Sequence, residues 1–399
     1  MKIHFGVMGI IGICVLLFVA YMLSNNKKAI KWKIVRRGIV LEIIFMFFVL
    51  KTPFGIEIFN FMAKCLVKLM GFSYKGIGFV FGSGYLNNKL AFIFLALMPL
   101  IFFGALISIL YHYGIMQKII KIFSMCIGNF LDITGVEATA LCSTVFVGQS
   151  QEMVVICPYI DKLTDSELAL IMTGGMAAVS GTLLYTYAAL GANLTYVIAG
   201  SLMAVPGAII MSKILFPETE KSNFRGKDCF EHEEDTVNTL DALSKGAMNG
   251  WHVVVGVSVM LVAFIALISL LNYLVFKISF GHLTFDHLLE YVFTPVAFII
   301  GVPHVDVSSF ATLFGQKTFF NEVIAFSHIK TFHMSAKGFA MACFALTGFA
   351  NFSSIAIQIG VVGSLAPNKR DRVVKLGLKV FCAALLANLL SAAIVGIIF

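Results

Sequence analysis

Two short polar stretches carry the groups able to do chemistry in an otherwise apolar chain. One is Asn321-Glu322 and the other, one strongly apolar segment later, is Thr347-Gly348-Phe349-Ala350-Asn351-Phe352-Ser353-Ser354. They supply a carboxylate, an acceptor only when ionised, together with carboxamides, which donate and accept, and paired hydroxyls. At membrane depth such groups cost several kcal/mol unless satisfied, so they read as a binding site. Hydrogen bonding between helices is the competing role for Asn351, Ser353 and Ser354, and Ser353 is assigned to it. An intramembrane hydrolase would need His-Glu-x-x-His, Gly-x-Ser-x-Gly or a paired aspartate, none of which occurs. His252, His304, His328 and His333 lack metal-ligand spacing. The reading is therefore of a binding protein that is not an enzyme, with no cofactor and no certain metal site.

The composition says where these groups sit. Hydrophobic residues make up 59% of the 399 and charged residues only 13%, against about 25% charged in soluble domains. This is the composition of a polytopic membrane protein, with room for about eight to ten segments of roughly 20 residues each. The formal charge of +8 does not point to nucleic acid, because the basic residues lie in short clusters between apolar runs. Lys27, Lys28, Lys31, Lys33, Arg36 and Arg37 place the first loop in the cytoplasm, and Lys369-Arg370-Asp371-Arg372 places a late loop there too. Both termini are then expected outside. Ile3 to Leu23 has no small-residue cleavage site and reads as a first span, not a removed signal. Eight cysteines without a C-x-x-C pair exclude a disulfide framework or zinc site and read as packing residues.

The polar stretches must be positioned by an all-α polytopic architecture. About eight transmembrane helices, two re-entrant hairpins and two broken helices are expected, arranged as an inverted repeat. Residues 54–72 mix Glu57, Lys64 and Lys68 into apolar sequence at helical spacing and suit an interfacial helix. The Gly-rich segment 76–84 lacks the Lys-Ser/Thr of a phosphate loop and reads as a flexible connection. Around the polar tip Thr144 to Glu152 lie two apolar arms of about ten residues, too short to cross twice, so a hairpin is expected. Thr164 and Glu167 predict a capped helix over about 166–190, weakened at Gly174-Gly175 and Ser180-Gly181-Thr182. Pro217 to Lys245 reads as a hydrophilic loop whose acids Glu231, Glu233, Glu234 and Asp235 are solvated surface. The second half repeats the order: a span over about 247–275, a helix over about 287–302, a hairpin over 307–333 holding Asn321-Glu322, a helix broken at Thr347-Gly348, and a last span. Hairpin followed by broken helix, twice, is the signature of a secondary transporter. Four segments follow: scaffold helices 1–120, a first transport half 121–216, a loop and scaffold span 217–306, and a second transport half 307–399.

The segment LFGQKTFFNEVIAF, 313–326, resembles a diagnostic motif of the concentrative nucleoside transporters, and GFANFSSIAIQIG, 348–360, is similar to that family's other motif. GQSQEMVVICPYI (148–160), MTGGMAAVSGTLL (172–184) and AVPGAIIMSKILFPETE (204–220) resemble the corresponding segments, in matching order over nearly the whole chain. The resemblance is to the shorter, bacterial-type members with eight spans. It implies a homotrimer in which a transport domain moves against a scaffold within the plasma membrane. It also implies that Glu322, Asn351 and Ser354 bind ribose hydroxyls, that Phe349 lies beside the ligand, and that Gln149, Ser150, Gln151 and Leu183 surround the base. The residue chemistry agrees, since an acceptor-only carboxylate suits a cis-diol and an aromatic face can flank a planar base.

Two departures from the family pattern bear on specificity and coupling. The family's Gln-Thr-Glu tip is Gln149-Ser150-Gln151 here, with the acid one place later at Glu152, and adjacent residues point about 100° apart in a helix. Its sodium site, which falls at Thr144, Val147, Ala178 and Val179, has lost an Asn and a Ser side chain to Thr144 and Ala178. That weakens a site for a small hard cation. The coupling ion is left as H+ or Na+, with Glu322 the leading proton acceptor and Glu137 and Glu152 behind it. The expected activity is ion-coupled secondary uptake of nucleosides, and the alternative is uptake of another small polar solute such as a free base or sugar-like metabolite.

Overall fold

The computed structural model describes residues 2–82, 93–224 and 236–399, and side chains from residue 8 onward. The first part of the chain forms α1 (Lys2–Met22), α2 (Trp32–Lys51), α3 (Pro53–Gly71), α4 (Ser73–Phe81), α5 (Pro99–His112) and α6 (Ile115–Leu131). Next come α7 (Gly135–Val147), α8 (Gln151–Val155), α9 (Asp165–Ala177), α10 (Gly181–Leu190) and α11 (Leu194–Leu215). The second half holds α12 (Thr239–Ile278), α13 (Phe285–Ile299), α14 (Val307–Phe319), α15 (Glu322–His328), α16 (Ala336–Leu346), α17 (Phe352–Leu365) and α18 (Arg370–Ile398). No strand occurs among the described residues.

Five stretches are by themselves long and apolar enough to cross a membrane: Ile93–His112, Asp165–Leu190, Leu194–Leu215, Thr239–Ile278 and Pro367–Ile398. Met8–Met22, α7, α16 and α17 are shorter apolar helices, and α2 passes the same test only together with α3 and α4. Beyond α2 the chain turns by 80° into α3 and α4. The arms α7 and α14 have 13 residues each. At 1.5 Å per residue that is about 20 Å, short of a hydrocarbon core of roughly 30 Å. The two short-armed pairs, α7–α8 and α14–α15, therefore stand where the hairpins were expected, each followed by a helix interrupted in its middle.

Local chemistry sets the ends of these elements. Capping boxes of Thr134 with Glu137 and Thr164 with Glu167 start α7 and α9. Asn321 and Asn351 are N-caps, accepting from Ile324 N–H at 3.0 Å and Ser354 N–H at 2.9 Å. Three expectations are corrected. Residues 76–81 are the end of α4 rather than a flexible connection, while 83–84 lie outside the described residues. The break in the first interrupted helix is at Ala178 to Ser180, and Gly174 and Gly175 are helical. Their missing side chains serve close packing, for a Cβ on Gly174 would lie 2.0 Å from Leu141 Cδ2. The hydrophilic loop ends early, because Asn238 caps α12 by accepting from Asp241 N–H. Glu231, Glu233, Glu234 and Asp235 lie outside the described residues.

The centre of the molecule is where the two broken helices meet α11 and α18. Each break leaves carbonyls with no partner along the helix, far from water. The fully buried Lys317 donates to Ala345 O at 2.7 Å and to Asn388 Oδ1 at 2.6 Å. Asn388 Nδ2 in turn donates to Ala177 O at 2.8 Å and Thr347 O at 3.1 Å. One lysine and one asparagine thus tie the last carbonyls of α9 and α16 together. Gly348 sits in the crossing, where a Cβ would lie 2.3 Å from Ala177 O and 2.4 Å from Asn388 Oδ1.

Gly348→Ala is expected to destabilise the protein by about 1–3 kcal/mol through overpacking, read as a lower thermal midpoint in detergent. Gly360→Ala, with nothing within 4 Å of the added carbon, is expected to leave the midpoint unchanged or raise it. Equal midpoints for both variants would contradict the crossing geometry.

Candidate functional site

Four chain segments converge on one cavity of about 540 Å³: the tip between α7 and α8, the first turn of α10, the start of α15, and the break before α17. Its volume is in the usual range of small-molecule sites, about 300–1,000 Å³. Gln149, Ser150, Gln151, Leu183, Glu322, Phe349, Asn351 and Ser354 all line it, although the sequence separates them by up to 205 residues. On the far side α12 contributes an apolar wall from Val253, Val257, Met260 and Leu261.

The polar lining is a connected network. Tyr187 donates its hydroxyl to Glu322 Oε1 at 3.1 Å, and Asn351 Nδ2 donates to Glu322 Oε2 at 3.2 Å. Asn351 Oδ1 accepts from Ser353 Oγ at 2.6 Å as well as from Ser354 N–H. Gln149 Nε2 donates to Ser354 Oγ at 3.1 Å, joining the first half of the chain to the second. The outer oxygen of Gln149 is buried and receives no hydrogen bond. Glu322 is 3% exposed, and a charge so desolvated persists only with compensation. Tyr187 and Asn351, each donating to one carboxyl oxygen, offset part of that cost. A carboxylate in the first turn of α15 also meets the positive end of that helix. Tyr187 is held in place by stacking on Phe326, with ring centroids 4.7 Å apart.

The positions expected to bind a coupling ion lie at the end of α7 and at the break between α9 and α10. A Cβ on Gly181 would lie 3.4 Å from Phe146 O, so the end of α7 abuts the start of α10. The Thr144 hydroxyl donates to Ala140 O at 3.1 Å, and Val179 O accepts from Ser201 Oγ at 2.7 Å. Ala178 closes α9 by donating to Gly174 O, and Val147 lines the cavity. Among the described residues no group of three or more His, Cys, Asp or Glu is arranged to hold a metal ion. Of the expected proton acceptors, Glu137 is ion-paired with Lys213 and caps α7. Glu152 is fully buried beside the cavity but does not line it.

Tyr187, Lys317, Asn388 and Glu42 were not singled out from the sequence. Lys317 and Glu42 carried a usable signal, since an ionisable residue within an apolar run is a functional candidate by default. Tyr187 and Asn388 carried none, because their partners lie 135 and 71 residues away.

The chain is similar in sequence and in fold to known proteins. The sequence pattern described as Na+ dependent nucleoside transporter C-terminus matches residues 196–396, and the corresponding N-terminus pattern matches residues 11–84. A pattern described as Nucleoside recognition matches residues 93–194. The chain is 39% identical to the uncharacterized transporter YutK of Bacillus subtilis, over 97% of this chain and 98% of that one. It is 34% identical to the putative nucleoside permease NupX of Escherichia coli, over 97% of each. The solved structure of CNTnw in an inward-facing substrate-bound state superposes with a TM-score of 0.92 at 32% identity, covering 98% of both chains.

Tyr187→Phe removes a donor from a buried carboxylate and is expected to lower stability by about 1.5–3 kcal/mol. In a Glu322→Gln background the same change is expected to be milder, because the two residues couple. Thermal or denaturant unfolding of the four proteins measures the coupling, and strict additivity would contradict the network.

Proposed function

We propose, given that this chain belongs to the family of Na+-dependent, concentrative nucleoside transporters, that it takes up nucleosides across the cell membrane by alternating access coupled to H+ or Na+. The observation that carries the reading is the single cavity in which Glu322, Asn351 and Ser354 from one half of the chain meet Gln149 from the other.

In this reading Glu322 accepts from the ribose hydroxyls. Asn351 and Ser354 supply the complementary donors and acceptors around the same diol. Phe349 flanks the base with its face, and Gln149, Ser150, Gln151 and Leu183 surround the base edge. The first tip carries a carboxamide at Gln151 where the family pattern has an acid, so base recognition there rests on amide donors and acceptors. Residues 121–216 and 307–399 form the moving body, and 1–120 with 217–306 form the frame. We assign both termini to the outside from the basic loops, and assign a homotrimer from the family. The long α12, with only 17% of its most apolar window buried, offers a large face to lipid or to a neighbouring copy.

The test is uptake of labelled nucleoside into proteoliposomes under imposed proton or sodium gradients, competed with purine and pyrimidine nucleosides, free bases and ribose. Glu322→Gln is expected to reduce uptake about 10- to 100-fold, the loss of a charge-assisted hydrogen bond, while the protein stays folded. Unchanged uptake by that variant would sink the role of Glu322, and competition by free bases alone would favour a base transporter.

A further inference from the structure

A second polar pair, one member on α8 beside the first tip and the other on α17, lies outside the cavity lining and is not used by the substrate network. Glu152 on α8 is fully buried, and neither of its carboxyl oxygens receives a hydrogen bond of good geometry. Gln358 on α17 is 1% exposed, and both ends of its carboxamide are likewise unpaired. The two are neighbours. A Cβ on Gly175 of α9 would lie 2.1 Å from Glu152 Oε1 and 2.8 Å from Gln358 Nε2, so the bare glycine makes the space in which they meet. Groups this buried and this unsatisfied call for an explanation beyond packing.

From this geometry we infer that Glu152, matched to Gln358 across Gly175, carries the coupling proton. The inference rests on the transport reading given above. A neutral carboxylic acid and a primary carboxamide are complementary: the acid O–H donates to the amide oxygen while the amide N–H donates to the acid carbonyl. An ionised carboxylate has no proton to donate, which leaves the amide oxygen unpaired and a buried charge without a cation. One proton therefore completes the pair. A sodium ion fits less well, since hard cations take several oxygens and the pair offers a carboxylate and one amide oxygen.

The surroundings leave Glu152 as the free acid of this region. The neighbouring α7 carries Glu137, paired with Lys213, and Cys142. The turn after α8 carries Cys157, Tyr159, Asp161 and Lys162, and the first turn of α9 carries Asp165 and Glu167. Asp165 pairs with Arg372, and Glu167 accepts from Thr164 N–H and Ser222 Oγ. No ionisable side chain occurs on α17. The other buried, underpartnered acid, Glu42, lies on α2 against Gly207 of α11 and Ser391 of α18, apart from both tips.

Position couples this proton to substrate. Gln149 of the tip bonds Ser354 of α17, and Gln358 is one helical turn further along α17 from Ser354. The substrate contact and the proton pair are thus successive links between the same two elements. Closure of the tip on a nucleoside and completion of the acid–amide pair are then one movement.

The test uses the full-length protein in proteoliposomes, reading nucleoside-induced proton entry with an internal pH dye, accumulation under an acid-outside gradient, and counterflow at equal pH. Wild type is expected to show all three. Glu152→Gln is expected to keep counterflow but to lose proton entry, with accumulation falling to equilibrium, and Glu42→Gln is expected to behave as wild type. Gln358→Leu, which replaces an unpaired buried amide by an apolar side chain of similar size, gives an independent arm expected to weaken accumulation and spare counterflow. Acid-driven accumulation that survives Glu152→Gln overturns the assignment, as does loss of coupling in Glu42→Gln alone. Wild-type accumulation driven by sodium without proton entry overturns it too. Absence of nucleoside counterflow in wild type overturns the transport reading, and the coupling assignment with it.

Discussion

Two helices broken in the buried interior leave peptide carbonyls away from the surface, and the Lys317–Asn388 pair is what makes that tolerable. A single ammonium and a single carboxamide bond Ala345, Ala177 and Thr347 at the ends of α9 and α16. With the C-terminal ends fixed at one knot, the N-terminal starts of α10, α15 and α17 border the cavity on the other side. The carboxyl group of Glu322 at the head of α15 depends on that arrangement, since the helix start offsets part of its burial.

The cavity divides by chemistry. Hydrogen-bonding groups from Glu322, Asn351, Ser354 and Gln149 form a linked set on one side, and the aliphatic residues of α12 form the other. A ligand with a polyhydroxylated part and a flat, partly apolar part matches such a division. A buried network of this kind also rejects ligands that lack the hydroxyls, because its own polar groups would be left unpaired.

Much of this was legible in the chain because the signals were local. The polar stretches at 321–322 and 347–354, the Thr164–Glu167 capping box and the two family motifs each lie within a few residues; the stretches contribute to one cavity and the box starts α9. What was illegible depended on distant partners. The Gly174-Gly175 pair suggested a break by helix propensity, yet both serve close packing, against Leu141 and Glu152. Asn388 and Tyr187 looked ordinary until the fold brought Lys317 and Glu322 to them. The caps explain part of the polar anomaly as well. Asn321 uses its side-chain oxygen to start α15, as Asn351 does for α17.

The central claim is that the Glu322–Asn351–Ser354 side of the cavity recognises the sugar of a nucleoside. The most direct measurement is equilibrium binding to the purified protein of a nucleoside, its 2′,3′-dideoxy analogue and the free base. The expected result is that removing the two hydroxyls weakens binding about 10- to 100-fold and that the free base binds no better than the dideoxy compound. Equal affinity for the nucleoside and its dideoxy analogue would contradict it.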